Sequence, residues 1–156
     1  MVRLVPMTQA EFEAFLEWQV RALARERVQA GLWSEAESLP RSRKEQRFLL
    51  PDGLKSRSHH LYTIQESERG EAVGVLWFKA NLDSSRASGF ILQLAIHEPF
   101  RRKGYARQAM LELEKVAREM GLQQLSLYVF TNNEAARVLC EHLGYGISSL
   151  NMQKEL

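Results

Sequence analysis

The spacing of apolar positions changes several times along the chain. Val2 to Val5 reads as a short strand. Phe12, Phe15, Leu16, Val20 and Leu23 then recur at helical spacing up to about Gly31. Thr8 and Glu11 precede that helix as a capping box: a hydroxyl and a carboxylate satisfy the free amides of its first turn. Ser34 with Glu37, and Ser42 with Glu45, repeat the spacing. Residues 34–50 are therefore expected as short broken helices, interrupted at Pro40 and ended at Pro51.

From His60 the period shortens. Leu61 to Gln65 and Val73 to Ala80 read as strands joined by the turn segment Glu68 to Glu71. Asn81 to Gly89 is a polar loop. Phe90 to Ile96 is a nearly continuous apolar run, expected of a strand buried on both faces. Ala106, Ala109, Met110, Leu113, Val116, Ala117 and Met120 form the stripe of the next helix, closed by Gly121. Leu125 to Phe130 is a strand. Thr131 to Glu134 is a further capping box, leading a helix with Ala136, Leu139, Cys140 and Leu143 inward and ending at Gly144. Ile147 to Leu156 offers one or two final strands.

This order predicts an α/β (α+β) fold. Its sheet is mixed and mostly antiparallel, of about six or seven strands, with about four flanking helices. The crossover from strand 90–96 through helix 105–120 to strand 125–130 makes those two strands parallel neighbours with right-handed connection. No repeat or linker divides the chain, so residues 1–156 are expected as a single domain.

Composition narrows the function by exclusion. A net charge of +2 gives no argument for nucleic acid. No apolar run reaches the length of a membrane span. The N-terminus, MVRLVPMTQAEF, has no hydrophobic signal segment and reads as mature structure. With Cys140 as the one cysteine, no internal disulfide can form, and a reducing, cytoplasmic setting is expected. No metal is expected, because the His59–His60 pair has no cysteine or acidic companion at ligand spacing.

The most informative stretch is HEPFRRKGYARQAM, residues 97–110, where a strand turns directly into a helix. The first amides of such a helix lack partners, and with the helix dipole they attract an anion. Gly104 and Ala106 leave the approach uncovered, while Arg101, Arg102 and Lys103 add charge at the rim. Basic residues there oppose the dipole, so their placement is unfavourable without an anion. A solvated basic turn is the alternative. Neither the ATP-type phosphate loop nor the dinucleotide glycine fingerprint is present.

The pattern Arg101-x-x-Gly104-x-Ala106 resembles the [Gln/Arg]-x-x-Gly-x-[Gly/Ala] acetyl-CoA motif of the GNAT superfamily of N-acetyltransferases. The strand ending AIHEPF and the block NEAARVLCEHLGY are also similar to that family, and the likeness is strong over residues 73–145. RERVQAGLW and LLPDGLKSRSHHLYTI look like a bacterial subgroup. The resemblance implies a sheet splayed between strands 90–96 and 124–130, with the pantetheine arm of coenzyme A in the wedge. It implies backbone pairing of the arm at Leu94 and Ile96, with Ala95 between them, and pyrophosphate on amides from Arg102 through Tyr105 and Ala106 to Arg107. It implies Asn133 bonded to the pantetheine or its thioester end, with Ala136 and Cys140 on the same helix. Cys140 stands where many members carry a tyrosine that protonates the leaving thiolate. A small core residue is the plainer reading of Cys140; Tyr145 or a water could serve as the acid instead. The free thiol has a pKa of about 8.5, so coenzyme A leaves readily in any case.

Acetyl transfer needs a neutral amine, and a lysine amine has a reference pKa of about 10.4, so a base or a water chain is expected. Direct attack on the thioester then needs alignment and a donor for the developing oxyanion, such as the Ile96 amide. Alternation puts Gln93, Ala95 and His97 on one face of the central strand. His97 has the right intrinsic pKa for the base, but is equally a surface residue at a strand end. Glu98 reads as a solvated carboxylate, and Arg21, Arg25 and Arg27 as a solvated helix face. His59, His60 and Tyr128 are candidates to border the acceptor; Trp33 and Trp77 read as core. The expected partner is an amine-bearing small molecule or peptide: a protein N-terminus or lysine, a polyamine, an aminoglycoside or a metabolite. The expected assembly is a monomer or homodimer. A non-catalytic acyl-CoA sensor is the alternative.

Overall fold

The structure, a computed structural model, describes residues 1–130 and 133–156. Thr8 caps the first helix as its spacing predicts. After strand β1 (Val2–Pro6), helix α1 (Gln9–Gln29) starts with the Thr8 hydroxyl accepting the Glu11 N–H at 3.2 Å. The Glu11 carboxylate in turn accepts the Thr8 N–H at 2.9 Å. Its second oxygen accepts from the Thr63 hydroxyl at 2.9 Å, tying the helix start to the sheet. Ser34 caps helix α2 (Glu35–Leu49) in the same two-bond way.

The expectation of broken helices over residues 34–50 is corrected. α2 runs unbroken through Pro40. Ser42 does not start a second helix; it is buried, and its hydroxyl donates to the Val20 carbonyl of α1 at 2.6 Å. Ser38, Ser42 and Gln46 recur every fourth residue and are all buried. This stripe packs α2 on α1, and such packing outweighs the one backbone bond a proline removes. Trp33, buried in the connection, lies under the guanidinium groups of Arg27 (5.3 Å) and Arg41 (4.8 Å).

Strands β2 (His59–Glu66), β3 (Ala72–Asn81), β4 (Ser88–Ile96) and β5 (Gln124–Leu127) join β1 in a mixed sheet of order β1-β2-β3-β4-β5. β1 to β4 pair antiparallel in succession. Helix α3 (Tyr105–Glu119) carries the chain from β4 to β5. The starts of those two strands lie together: the Gln123 N–H donates to the Ala87 carbonyl at 2.8 Å, and Gly89 faces Leu125. β4 and β5 are therefore parallel, as the crossover predicts.

Met7, Phe12, Phe15, Leu50, Leu61, Val75 and Trp77 form the core between the sheet and α1. Leu76 and Phe78 alternate to the other face, and α3 buries Ala109, Met110, Leu113 and Ala117. A bulge shifts the β3–β4 register: Trp77 faces Gln93 and Phe78 faces Ile91, leaving Leu92 extra.

The six or seven strands expected are five among the described residues. β5 ends at Leu127, and Tyr128 and Phe130 are exposed. Residues 147–156 form no strand. Ile147 and Leu150 are three apart, which would put them on opposite faces of any strand, and both are exposed. Met1–Ser126 makes one compact unit and Leu127–Leu156 a second, which contains α4 (Glu134–His142). No helix among the described residues is long and apolar enough to cross a membrane.

Candidate active site

The site grows from the end of β4. The His97 N–H donates to the Val73 carbonyl of β3 at 2.8 Å. The Ile96 carbonyl shares that peptide group and so points the opposite way. By the same alternation, the N–H and carbonyl of Leu94 and the N–H of Ile96 also face away from β3. On that side β5 supplies only four residues, lying against the start of β4. Leu94, Ala95 and Ile96 are each half-buried.

The chain then makes a short turn (Glu98–Phe100) and enters the basic loop. Arg101 Nε donates to the outward-facing Ile96 carbonyl at 2.9 Å. Lys103 Nζ lies 5.9 Å from the centre of the Phe100 ring. Arg102 is left-handed at φ +66°, unusual for a residue with a side chain. Gly104 follows at φ +81° and caps α3. The first amide to bond into α3 is that of Gln108, to the Gly104 carbonyl at 3.1 Å. The amides of Tyr105, Ala106 and Arg107 therefore precede the first helical bond. A Cβ built on Gly104 meets nothing nearer than Gln108 Nε2 at 3.9 Å, so the approach is open. Gln108 Oε1, beside it, is buried with no hydrogen-bond partner among the described residues. An open cradle, amides with no partner among the described residues and clustered cations fit a pyrophosphate.

His97 is exposed where β4 ends. Partial loss of water around its ring, and the Arg101 cation, hold its imidazole below the usual range. It is therefore neutral near pH 7 and able to take a proton.

His59 and His60 are not brought together. Alternation along β2 sends them to opposite faces. His59 is buried, and its Nδ1 accepts the Trp77 Nε1–H at 2.9 Å. His60 is half-buried and stacks on Phe78 with centroids 5.0 Å apart. Burial lowers the pKa of both; Lys79 and then His60 add to the effect at His59. A folded-state pKa below the unfolded value gives stability that is complete above about pH 6.5 and lost as pH falls through the folded pKa. The melting temperature should therefore fall between pH 7 and pH 5. His59→Asn keeps an acceptor for Trp77 at the position of Nδ1 and should show a shallower fall by calorimetry. An equal slope in both proteins would refute a role for His59.

In the second unit, the Asn133 side chain caps α4, accepting the Ala136 N–H at 3.3 Å. The cap expected at Thr131 lies outside the described residues. Asn133, Ala136 and Cys140 follow one another on one stripe of the helix. Cys140 is buried, which pushes its thiol above the ordinary value. Its carbonyl accepts the Tyr145 N–H at 3.0 Å, and Tyr145 is half-buried. Tyr128 is exposed.

One polar pair escaped the sequence reading. Gln93 Nε2 donates to Gln19 Oε1 at 2.9 Å, linking β4 to α1. Gln19 is buried four residues after Phe15 and seven after Phe12. A polar residue on the core-facing stripe was the available signal.

Residues 13–145 match the acetyltransferase (GNAT) family. The uncharacterized N-acetyltransferase YycN of Bacillus subtilis (strain 168) is 37% identical over 155 residues, covering 99% of each chain. A second protein of that strain, the uncharacterized N-acetyltransferase YdgE, is 35% identical over 153 residues, covering 98% of this chain and 97% of its own. The crystal structure of YycN superposes with a TM-score of 0.92 over 100% of this chain and 99% of that one, at 36% identity. A Pyrococcus furiosus structure at 21% identity covers 100% of both chains with a TM-score of 0.71, which shows a shared fold.

Proposed function

Because the chain belongs to the GNAT family of acetyltransferases and is an N-acetyltransferase, we propose that it moves an acetyl group from acetyl-CoA to a primary amine by direct attack on the thioester. Residues 1–156 act as one domain in this reading, in the cytoplasm, as a monomer or homodimer. The observation that carries it is the continuity of two backbone grips. The outward peptide groups of β4 lead within a few residues to the unbonded amides of 105–107. Pantetheine amides would pair with the outward N–H and carbonyl of Leu94, as an added strand does, leaving the Ile96 N–H at the thioester end of the arm. Pyrophosphate would take the amides from Arg102 to Arg107.

The Ile96 N–H is the proposed donor to the oxyanion formed as the amine attacks. His97, neutral near pH 7, is the proposed base that strips the ammonium, directly or through a water. The acceptor is an amine on a small molecule or peptide. Incubation with acetyl-CoA and a panel of amines, following thiol release, tests the reading. Release that depends on one class of amine supports it. Tight binding of acetyl-CoA without amine-dependent release would favour a sensor instead.

Cys140 is proposed as packing, since burial has made its thiol a poorer acid. Cys140→Ala should keep turnover within about tenfold. A loss beyond roughly a hundredfold, the scale of lost proton-transfer catalysis, would place the thiol in the reaction.

A further inference from the structure

The loop that carries the basic run uses its own cations before any ligand arrives. Lys103 is drawn over the Phe100 ring, and Arg101 turns back to the strand it follows. The Arg101 bond is charge-assisted and closes the chain from Ile96 to Arg101 into a ring. The carbonyl it takes belongs to the peptide group whose N–H is fixed to Val73. One end of that peptide is therefore held by β3 and the other by Arg101. Directly beyond the clamp come the two left-handed residues, Arg102 and Gly104, that aim the loop amides. Such backbone persists only where its surroundings fix it.

We infer that Arg101 is a positioning residue: its Nε–H···O bond to Ile96 sets the offset between the β4 edge and the amides of 102–107. The proposal rests on the coenzyme A reading above. It departs from the sequence expectation that Arg101 contributes its charge to the phosphate. Coenzyme A spans both grips, so an error in their offset weakens the whole molecule. Adenosine diphosphate would engage the loop alone and be less affected.

Side-chain geometry supplies the test. In arginine the Nε is the fourth atom beyond Cα, and in glutamine the amide nitrogen is also the fourth. Glutamine thus keeps the donor in place and removes the charge. Lysine keeps the charge and moves the donor one atom further out. Methionine has similar length and no donor.

Calorimetric titration of wild type, Arg101→Met, Arg101→Gln and Arg101→Lys with coenzyme A should give affinities in the order wild type, glutamine, lysine, methionine. The methionine variant should be weaker by about tenfold to a hundredfold, the worth of a hydrogen bond to a charged group. Its affinity for adenosine diphosphate should change by less than about threefold. The dependence of affinity on salt should keep its slope in the glutamine variant, since screening acts on charges that meet the phosphate. Lysine above glutamine, or a reduced salt slope with glutamine, would make Arg101 a phosphate ligand and overturn the clamp. Both substitutions are polar at an exposed position, so this comparison stands even if the methionine variant fails to fold. No uptake by the wild-type protein would overturn the cofactor reading together with the clamp. Normal wild-type uptake with lysine above glutamine overturns the clamp alone.

Discussion

Gly104→Val should bind coenzyme A about a hundredfold more weakly than the wild-type protein, roughly the loss of one or two charge-assisted hydrogen bonds. Two causes act together. At φ +81° a β-branched residue is strained, so the loop will shift and take the amides of Tyr105, Ala106 and Arg107 with it. The valine methyls would also enter space that now has nothing within 3.9 Å. Gly104→Asn separates these causes, because asparagine tolerates the left-handed region yet still covers the approach. If coverage matters most, the asparagine variant will melt near the wild-type temperature and still bind poorly. Calorimetry on both variants measures the affinities, and unchanged affinity for valine would remove the backbone grip from the account.

Gly74→Ala should damage fold and site at once. Gly74 of β3 pairs with Ile96. A methyl there would overlap the Ala95 carbonyl oxygen and sit 3.1 Å from Ile96 Cα. Both are backbone atoms and cannot turn aside as a side chain can. Overpacking of this kind costs about 1–3 kcal/mol, which for a chain of this size lowers the melting temperature by roughly 3–10 °C. The strand that yields is β4, at the residues proposed to pair with pantetheine, so coenzyme A affinity should fall as well. Gly146→Ala is the control: a methyl there meets nothing within 4 Å, at an ordinary φ. An unchanged melting curve for Gly74→Ala would mean that β3 and β4 are not held as closely as described.

Much of this was legible in the sequence because it is local. Thr8 and Ser34 announced their caps three residues ahead of the glutamates that complete them. The apolar run to Ile96, the basic triplet and Gly104 marked the strand-to-helix junction by composition alone. What was missed depends on contacts far apart in the chain. Ser42 has the spacing of a cap, but its hydroxyl is claimed by Val20, twenty-two residues earlier. Pro40 reads as a break until the stripe of Ser38, Ser42 and Gln46 is set against α1. The last residues carry apolar side chains that suggest strands, but Ile147, Leu150, Met152 and Leu156 are all exposed, so none of them is held against a core. Gln93 and Gln19 lie 74 residues apart, and only the folded sheet brings them within 2.9 Å. For the proposed chemistry, the cofactor grips are built from backbone near one junction.

The central claim is that backbone along β4 and at the start of α3 holds coenzyme A. Isothermal titration of the folded wild-type protein with coenzyme A tests it most directly. The account predicts saturable uptake of one molecule per chain, weakening as salt is raised because phosphate sits among exposed cations. Absence of uptake by protein whose circular dichroism and melting curve show a native fold would contradict it.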